Sequence, residues 1–272
     1  MFFEIIKDAT NLMKKNLNLT QLIFILFVIT MGFTAVLAHM KINIKIIPMG
    51  IIFFALLSAT FAGIFFAFKK SLDYEKNPPK TDNPFDLSPL YFSEFLQGVG
   101  KFTPKFIYAG LFLLILLSLF ALGYKYIVNY FVLIPEKFIE LTKSPAIWSQ
   151  VQIMEFVNTL TEAEQTQLSR FCLTTIGVSS LYGILTMLYP VSLINEEANF
   201  FKSFFISIKH LFKNLPISII LFVFFNIAFA FANMLSAMFV SNVIISILAL
   251  FIQCYLIVLY ILSLFVYYEK IK

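Results

Sequence analysis

Long apolar blocks separated by shorter polar stretches dominate the pattern of this chain. Six apolar runs are each long enough to cross a bilayer core of about 30 Å, which takes roughly 20 residues as helix. We place these runs at residues 20–38, 47–68, 106–124, 171–194, 216–239 and 243–267. No run has an acidic or basic residue in its middle, which argues against a proton-coupled pump with a carboxylate relay. The pattern predicts an all-α integral membrane protein with six transmembrane helices.

A shorter pattern with helical period precedes the first and fifth runs. The segment from Phe2 to Leu17 recurs 198 residues later as Phe200 to Leu215. One face of the second copy holds Phe200, Phe201, Phe204, Phe205, Ile208, Leu211, Phe212 and Leu215, and the opposite face holds Lys202, Ser203, Ser207, Lys209, His210 and Lys213. The first copy places Phe2, Phe3, Ile6, Met13 and Leu17 opposite Glu4, Lys7, Asp8, Asn11, Lys14 and Lys15.

This pattern is typical of an amphipathic interfacial helix that lies in the headgroup plane, with its rings in the bilayer and its amines near anionic phosphates. The candidate lipid contacts are Lys14, Lys15, Lys202, Lys209 and Lys213.

A third and weaker copy opens at Tyr91-Phe92, and Thr103-Pro104 marks the start of a new helix, because Pro is favoured in a first helical turn. We therefore predict three helix-plus-hairpin units, each preceded by an interfacial helix. The chain is then a single polytopic membrane domain, 1–272, with units at about 1–70, 90–195 and 198–272. A cytoplasmic tether, 71–90, and an extracytoplasmic helical loop, 125–170, connect these parts. A simple two-copy likeness is the alternative.

Composition and charge place the chain in a membrane and give its orientation. Hydrophobic residues make up 60% of the chain and charged residues 13%. One side of the six runs holds fourteen lysines, and the other holds Lys41, Lys45, Lys125, Lys137, Lys143 and Arg170. This asymmetry predicts a bacterial inner-membrane protein with both termini in the cytoplasm. A cleaved signal peptide over 1–38 is the alternative, but Glu4 and Asp8 make its first part too acidic.

Polar residues inside the apolar runs show where helices meet. Ala55, Ala59, Gly63 and Ala67 recur every four residues, a spacing that lets two helices approach closely. The polar residues of the other runs that share such faces are Thr175 and Ser179 in the fourth, Asn226 and Asn233 in the fifth and Gln253 in the sixth. They predict either a polar site between these three spans or hydrogen bonds that hold helices in register, and we favour the second interpretation.

Residues for chemistry are scarce. Cys172 and Cys254 both lie in apolar runs, where a small hydrophobic thiol is the ordinary interpretation, and two His do not make a metal site. The acids between 125 and 170 have no calcium-loop spacing, although Thr161 and Glu164 predict a capping box. A serine nucleophile at Ser179 lacks a base. The chain also has neither a phosphate-binding Gly-rich loop nor the motif of the mitochondrial carriers. We therefore expect no catalytic residue, no cofactor and no nucleic-acid partner.

The end of the fourth run carries the one resemblance to a known family. Tyr189-Pro190 is followed by the acidic turn Asn195-Glu196-Glu197 and by the amphipathic helix that ends in Phe212-Lys213-Asn214. This order resembles bacterial six-span membrane proteins of poorly understood role, including the membrane domain attached to some glycerophosphodiester phosphodiesterases. The match covers about 25 residues. It implies a similar architecture and supplies no catalytic motif.

These observations together predict a non-enzymatic inner-membrane protein. We expect it to bind or organise lipid through its interfacial helices, with anionic headgroups as partners, or to serve as a membrane partner of another protein in envelope upkeep. The alternative is a transporter of lipid or of a small molecule, with its site between the fourth, fifth and sixth spans.

Overall fold

The computed structural model describes residues 1–39, 46–77, 87–132, 156–196, 198–238 and 243–272, which are almost entirely helical and contain no strand. The helices are α1 (Phe2–Lys15), α2 (Leu19–His39), α3 (Ile46–Lys76), α4 (Leu87–Ile127), α5 (Glu162–Thr186), α6 (Tyr189–Asn195), α7 (Phe200–Lys213), α8 (Leu215–Met238) and α9 (Val243–Ile271). A π-helical turn, Val128–Val132, follows α4.

Five of the helical segments described are long and apolar enough to cross a membrane. They are Pro48–Lys76, Pro89–Tyr130, Glu162–Asn195, Leu215–Ser236 and Ile247–Ile271. A sixth arises if Phe2–Lys15 and Leu19–Ala35, which meet at a bend of 88°, count as one span. The prediction of an all-α multi-pass membrane protein is therefore confirmed.

The chain divides into two compact units. The first contains Met1–Leu111 and Ile184–Lys272, and the second contains Phe112–Gly183. In the first unit α9 packs against α1, α2, α3 and α8, so the last helix occupies its centre. The short helix α6 packs between α3 and α7 and buries most of its side chains. Apolar burial along α9, from Val258 to Ile271, forms much of this core.

Two glycines allow α3 and α4 to cross closely in the first unit. A Cβ atom added at Gly63 would lie 2.5 Å from Phe95, and one added at Gly98 would lie 2.6 Å from the Cβ of Phe66. The sequence predicted a close helix contact at Gly63 from its spacing with three alanines. The structure shows that Gly63 contacts α4, and it adds Gly98 of α4 to the contact. Gly98 was not predicted, because it is not part of a series of small residues every four positions.

Helix α4 runs without interruption from Leu87 to Ile127, with Pro104 inside it. The segment predicted as an interfacial helix before the third span is not a separate helix, because Tyr91 and Thr103 belong to the same helix as that span. The three-unit plan stays a prediction. Thr103 does not cap a new helix; its hydroxyl donates to the carbonyl of Val99 at 2.5 Å. Membrane helices tolerate an internal proline when side chains and neighbouring helices compensate for the missing backbone donor.

Two other predicted boundaries shift. Residues 71–76 of the predicted tether are helical in α3 and 87–90 belong to α4, while 78–86 lie outside the described residues. The fourth span is interrupted, because α5 ends at Thr186 and α6 starts at Tyr189, with Pro190 in its first turn. A proline there cannot donate a backbone hydrogen bond to the preceding turn, so it starts a new helix.

The second unit consists of the later part of α4 and most of α5. The Tyr182 hydroxyl donates to the carbonyl of Leu113 at 3.2 Å, and its ring meets Phe120 edge-on. The predicted capping box at the start of α5 is confirmed. The backbone N–H of Thr161 donates to the Glu164 carboxylate at 2.8 Å, and the N–H of Glu164 donates to the Thr161 hydroxyl at 3.3 Å. Residues 133–155 of the predicted loop lie outside the described part of the chain.

Candidate functional site

The two predicted amphipathic helices form as α1 and α7, and they share one register. Each has 14 residues, and three positions that are equivalent at the 198-residue offset are buried in both. These pairs are Ile5 and Ser203, Ala9 and Ser207, and Met13 and Leu211. Both helices end at an asparagine with nearly the same backbone conformation, φ −126° and ψ 44° at Asn16 and φ −138° and ψ 53° at Asn214. The sequence likeness of the two segments thus extends to their packing.

The serines of α7 lie on the inner face of the helix, which corrects the predicted division into an apolar and a polar face. Ser203 is fully buried and Ser207 nearly so. The Ser192 hydroxyl of α6 donates to the carbonyl of Ser203 at 2.9 Å, and the Ser207 hydroxyl donates to the carbonyl of Phe204 at 2.7 Å. The small side chains allow α6 and α7 to pack closely. The hydroxyls of Ser192 and Ser207 are satisfied by backbone carbonyls.

The opposite side of α7 is exposed and combines aromatic rings with amines. We call this surface the outer face of α7; it comprises Phe201, Lys202, Phe205, Lys209 and Phe212. The three phenylalanines are 49%, 54% and 57% exposed, respectively. Both lysines are also exposed. In helical projection the five residues fall within an arc of about 100°, since each residue advances the direction by 100°.

The five candidate lipid-contact lysines divide into two groups. All five side chains are exposed, and Lys14, Lys202 and Lys209 form the first group. Lys15 instead forms an ion pair with Glu75 at 2.9 Å, and Lys213 donates to the carbonyl of Ile271. These two contacts link α1 to α3 and α7 to α9, and the assignment of the five lysines as lipid contacts stays a prediction.

The end of α9 joins several elements of the first unit. We call Glu269–Lys272 the anchor segment. Glu269 pairs with Lys76 of α3 at 2.8 Å, and Lys270 pairs with Asp8 of α1 at 2.7 Å. The carbonyl of Ile271 accepts from Lys213 of α7, and Lys272 pairs with Glu196 after α6 at 2.9 Å. Four consecutive residues thus contact four different elements, and both surface helices are attached to the same segment.

Glu196 is the least exposed acid of these ion pairs. Burial alone would raise its pKa, but hydrogen bonds from Lys272 and Tyr268, both at 2.9 Å, outweigh burial and hold the pKa of Glu196 below its ordinary value. Burial also lowers the pKa of His210, against the opposing charge of Glu196. At neutral pH the carboxylate is therefore ionised and the imidazole neutral. Lys105 donates to the carbonyls of Leu193 and Glu196, at 2.6 and 3.0 Å, and fixes the turn that carries the acid.

The predicted intramembrane polar face is brought together only in part. The Gln253 amide donates to Asn233 at 2.9 Å and to Ser236 at 3.3 Å, which links α8 to α9. Asn226 is exposed and donates to the carbonyl of Phe222 in its own helix at 2.8 Å. Only the bonds of Gln253 link two helices, as expected of amides that hold helices in register, typically for less than about 1–2 kcal/mol each.

Thr175 and Ser179 belong to the second unit, and the three amides belong to the first. Both hydroxyls donate to backbone carbonyls one turn earlier, and the Thr175 hydroxyl also bonds the Tyr124 hydroxyl at 2.8 Å. They line a cavity of about 230 Å³, whose other walls are Leu117, Phe120, Ala121, Tyr124, Val178 and Tyr182. Its lining is almost entirely apolar, so the cavity does not provide the polar site predicted between three spans.

Within the residues that the structure describes, no group of three His, Cys, Asp or Glu side chains could hold a metal ion, and Cys172 and Cys254 are both free thiols. Comparison with protein-family models gave no match, and no curated protein or solved structure matched the chain. The resemblance to the phosphodiesterase membrane domain therefore stays a prediction. The fold defines the class: a helical multi-pass membrane protein.

Proposed function

We propose that this chain is a non-enzymatic bacterial inner-membrane protein that binds and organises anionic lipid through the outer face of α7. The observation that carries the proposal is the composition of that face. Three exposed phenylalanines and two exposed lysines share one arc of a helix whose other side is packed into the protein. Rings of this kind partition into the acyl boundary, and amines beside them attract phosphates.

The packing of α7 supports a role beyond filling the fold. Phe201, Phe205 and Phe212 expose apolar rings on one side of the helix, and exposed aromatic side chains grouped in this way usually mark an interaction surface. The helix is also capped, because the Asn199 side chain accepts from the backbone N–H of Lys202 at 2.9 Å. A fixed helix presents its rings and amines in one orientation at low entropic cost.

The charge distribution supports an orientation with this surface in the cytoplasmic leaflet. Helix α1 holds three of the fourteen lysines assigned to one side of the spans, α7 holds three and the anchor segment holds two, which makes eight in all. The inner leaflet of a bacterial membrane is anionic, and each nearby lysine contributes about 1 kcal/mol of attraction. The proposal thus places both termini in the cytoplasm.

The repeat is retained in this proposal as a two-copy plan. The predicted repeats at about 1–70 and 198–272 each contain a surface helix followed by two long helices. The equivalent buried positions of α1 and α7 support a relation between the two repeats. The middle hairpin lacks a separate surface helix, since α4 is continuous. Lipid contact is therefore assigned to α7, with exposed Phe3 and Lys14 of α1 as the related surface.

Charge removal on the outer face tests the proposal. We expect Lys202→Gln with Lys209→Gln to lower the amount of phosphatidylglycerol retained by the gently purified protein by on the order of tenfold or more, because two lysines supply about 2 kcal/mol of attraction. Retained lipid is measured by mass spectrometry against a phosphatidylethanolamine reference. Lys125→Gln, an exposed lysine of the second unit, is the control for loss of one positive charge. Unchanged phosphatidylglycerol in the double variant, with the fold intact by circular dichroism, would contradict the proposal.

A further inference from the structure

The cavity between α4 and α5 belongs neither to the anchor segment nor to the outer face of α7. It has a volume of about 230 Å³ and lies within the second unit. Hydrogen bonds join the two helices near its two ends. The Tyr182 hydroxyl donates to the carbonyl of Leu113 at 3.2 Å, and the hydroxyls of Tyr124 and Thr175 share a bond of 2.8 Å. About 16 Å of α4 lies between these bonds, since each residue adds about 1.5 Å. We call this space the α4–α5 groove.

Small side chains open the α4–α5 groove to the surface. Ala121 and Ser179 contribute to its lining, and both are exposed. The Ser179 hydroxyl donates to the carbonyl of Thr175 in its own helix at 2.7 Å. The rings of Phe120 and Tyr182, which also line the groove, meet edge-on with their centroids 5.5 Å apart. The groove therefore offers a ligand apolar contact between aromatic rings.

An apolar space of this size between packed helices is unusual, because proteins pack their interiors nearly as densely as organic crystals. Spaces lined by apolar side chains do not attract water and accept apolar molecules instead. A cavity of about 150 Å³, smaller than this groove, holds benzene. An apolar molecule is therefore the expected occupant of the α4–α5 groove.

The acyl chains of a bilayer surround the outer surface of these helices. Both helices belong to segments that are long and apolar enough to cross a membrane, Pro89–Tyr130 and Glu162–Asn195. Leu117 lines the groove and is also 46% exposed, so the groove is continuous with that outer surface. A lipid tail can thus enter the groove from the side.

The dimensions of the groove favour a single acyl chain over a partner helix. One turn of an α-helix is about 10 Å across and about 5.4 Å long, so it occupies roughly 400 Å³. This volume is larger than that of the groove. A partner helix could therefore reach the groove only with single side chains, whereas an extended acyl chain is narrow enough to lie along it.

We propose that the α4–α5 groove holds one acyl chain of a bilayer lipid, in contact with the rings of Phe120, Tyr124 and Tyr182. The groove recognises the tail of the lipid, so binding does not require a charged headgroup. This site depends on the membrane-spanning class of the fold and is independent of the lipid contact proposed for α7.

Retention of a brominated lipid tests this assignment, because bromine quenches tryptophan fluorescence only at short range. Phe120→Trp places the reporter in the wall of the groove, and Leu119→Trp places it at a position that is 59% exposed. Both variants also carry Trp148→Phe, which removes the only native tryptophan. The protein in detergent is loaded with phosphatidylcholine that has dibrominated chains and is then washed with lipid-free detergent.

We expect both reporters to be quenched before the wash and only the Phe120→Trp reporter to stay quenched after it. Lipid that merely surrounds the helices is washed away, whereas a chain held in the groove remains. Full recovery of the Phe120→Trp fluorescence after the wash would overturn the proposal. A Phe120→Trp reporter that is not quenched before the wash would mean that protein covers the groove, and would overturn it as well.

A matched pair of variants makes the test specific to the groove. Ala121→Leu fills the groove with a larger side chain, so the Phe120→Trp fluorescence should recover on washing. Gly123→Leu, two residues later in α4, should leave the quenching in place, because nothing lies within 4 Å of a Cβ atom added at Gly123.

Mass spectrometry of the washed protein with its native Phe120 is a second readout that needs no reporter. The wild type and Gly123→Leu should each retain one phosphatidylcholine molecule more than Ala121→Leu does. Phosphatidylcholine carries no net charge, so this result does not depend on the lysines of α7. Equal retention by all three proteins would contradict the assignment of an acyl chain to the groove.

Discussion

Gly98→Ala is expected to destabilise the protein by about 1–3 kcal/mol, the usual cost of overpacking a tight contact. The new Cβ would lie 2.6 Å from the Cβ of Phe66 and 3.0 Å from the backbone of Ala62 and Gly63. None of these atoms is the end of a flexible side chain, so α3 and α4 must move apart. The loss is measured as a lower midpoint of thermal unfolding in detergent.

Gly100→Ala is the matched control, two residues later in the same helix. Nothing lies within 4 Å of a Cβ added at Gly100. Alanine there should leave stability unchanged or raise it by about 0.5–1 kcal/mol, because glycine loses more backbone entropy than alanine when a helix forms. If both variants behaved alike, the close crossing of α3 and α4 at Gly98 would be refuted.

Phe204→Ala is expected to have the largest effect in the surface helices, a destabilisation of about 3–5 kcal/mol. Phe204 is 6% exposed and meets the ring of Tyr189 edge-on at 5.4 Å, so its removal leaves a cavity between α6 and α7. The adjacent Phe205→Ala should change the stability of the detergent-solubilised protein by less than about 0.5 kcal/mol, because its ring is exposed. Chemical unfolding of both variants gives the comparison.

The same pair separates structure from function. Phe205→Ala is expected to lower lipid retention while it leaves the unfolding midpoint in place. Equal destabilisation by Phe204→Ala and Phe205→Ala would mean that α7 packs with a different face inward. Phe205 would then not belong to the outer face of α7.

The fold class followed from the sequence because membrane helices need long apolar runs and little else. The capping box at Thr161 and the two amphipathic helices were also predictable, since each depends on neighbouring residues alone. The break before Tyr189 was not predicted. Proline is compatible both with a first helical turn, as at Pro190, and with a helix interior, as at Pro104, and tertiary packing decides between them.

The candidate surface was predictable only as a helix, not as a face. Eight apolar positions of α7 are more than are needed to pack against the protein or to contact the bilayer alone. The sequence does not show which of them face the protein and which face the lipid. The small residues Ser203 and Ser207 gave a signal that was open to a second interpretation, because serine suits both a solvated surface and a close helix contact. The anchor segment depends on ion pairs between residues as distant as Asp8 and Lys270, which have no local pattern.

Contact between the outer face of α7 and anionic lipid is the central claim, and quenching by labelled lipid measures it directly. Phe205→Cys, in a background with Cys172→Ser and Cys254→Ala, would carry a fluorophore in reconstituted vesicles. We predict stronger quenching by headgroup-spin-labelled phosphatidylglycerol than by the matching phosphatidylcholine, and loss of that preference in high salt, which screens the attraction. A fluorophore at Ile176→Cys, exposed on a span, should show no such preference. Equal quenching of the Phe205→Cys label by both lipids at low salt would contradict the account.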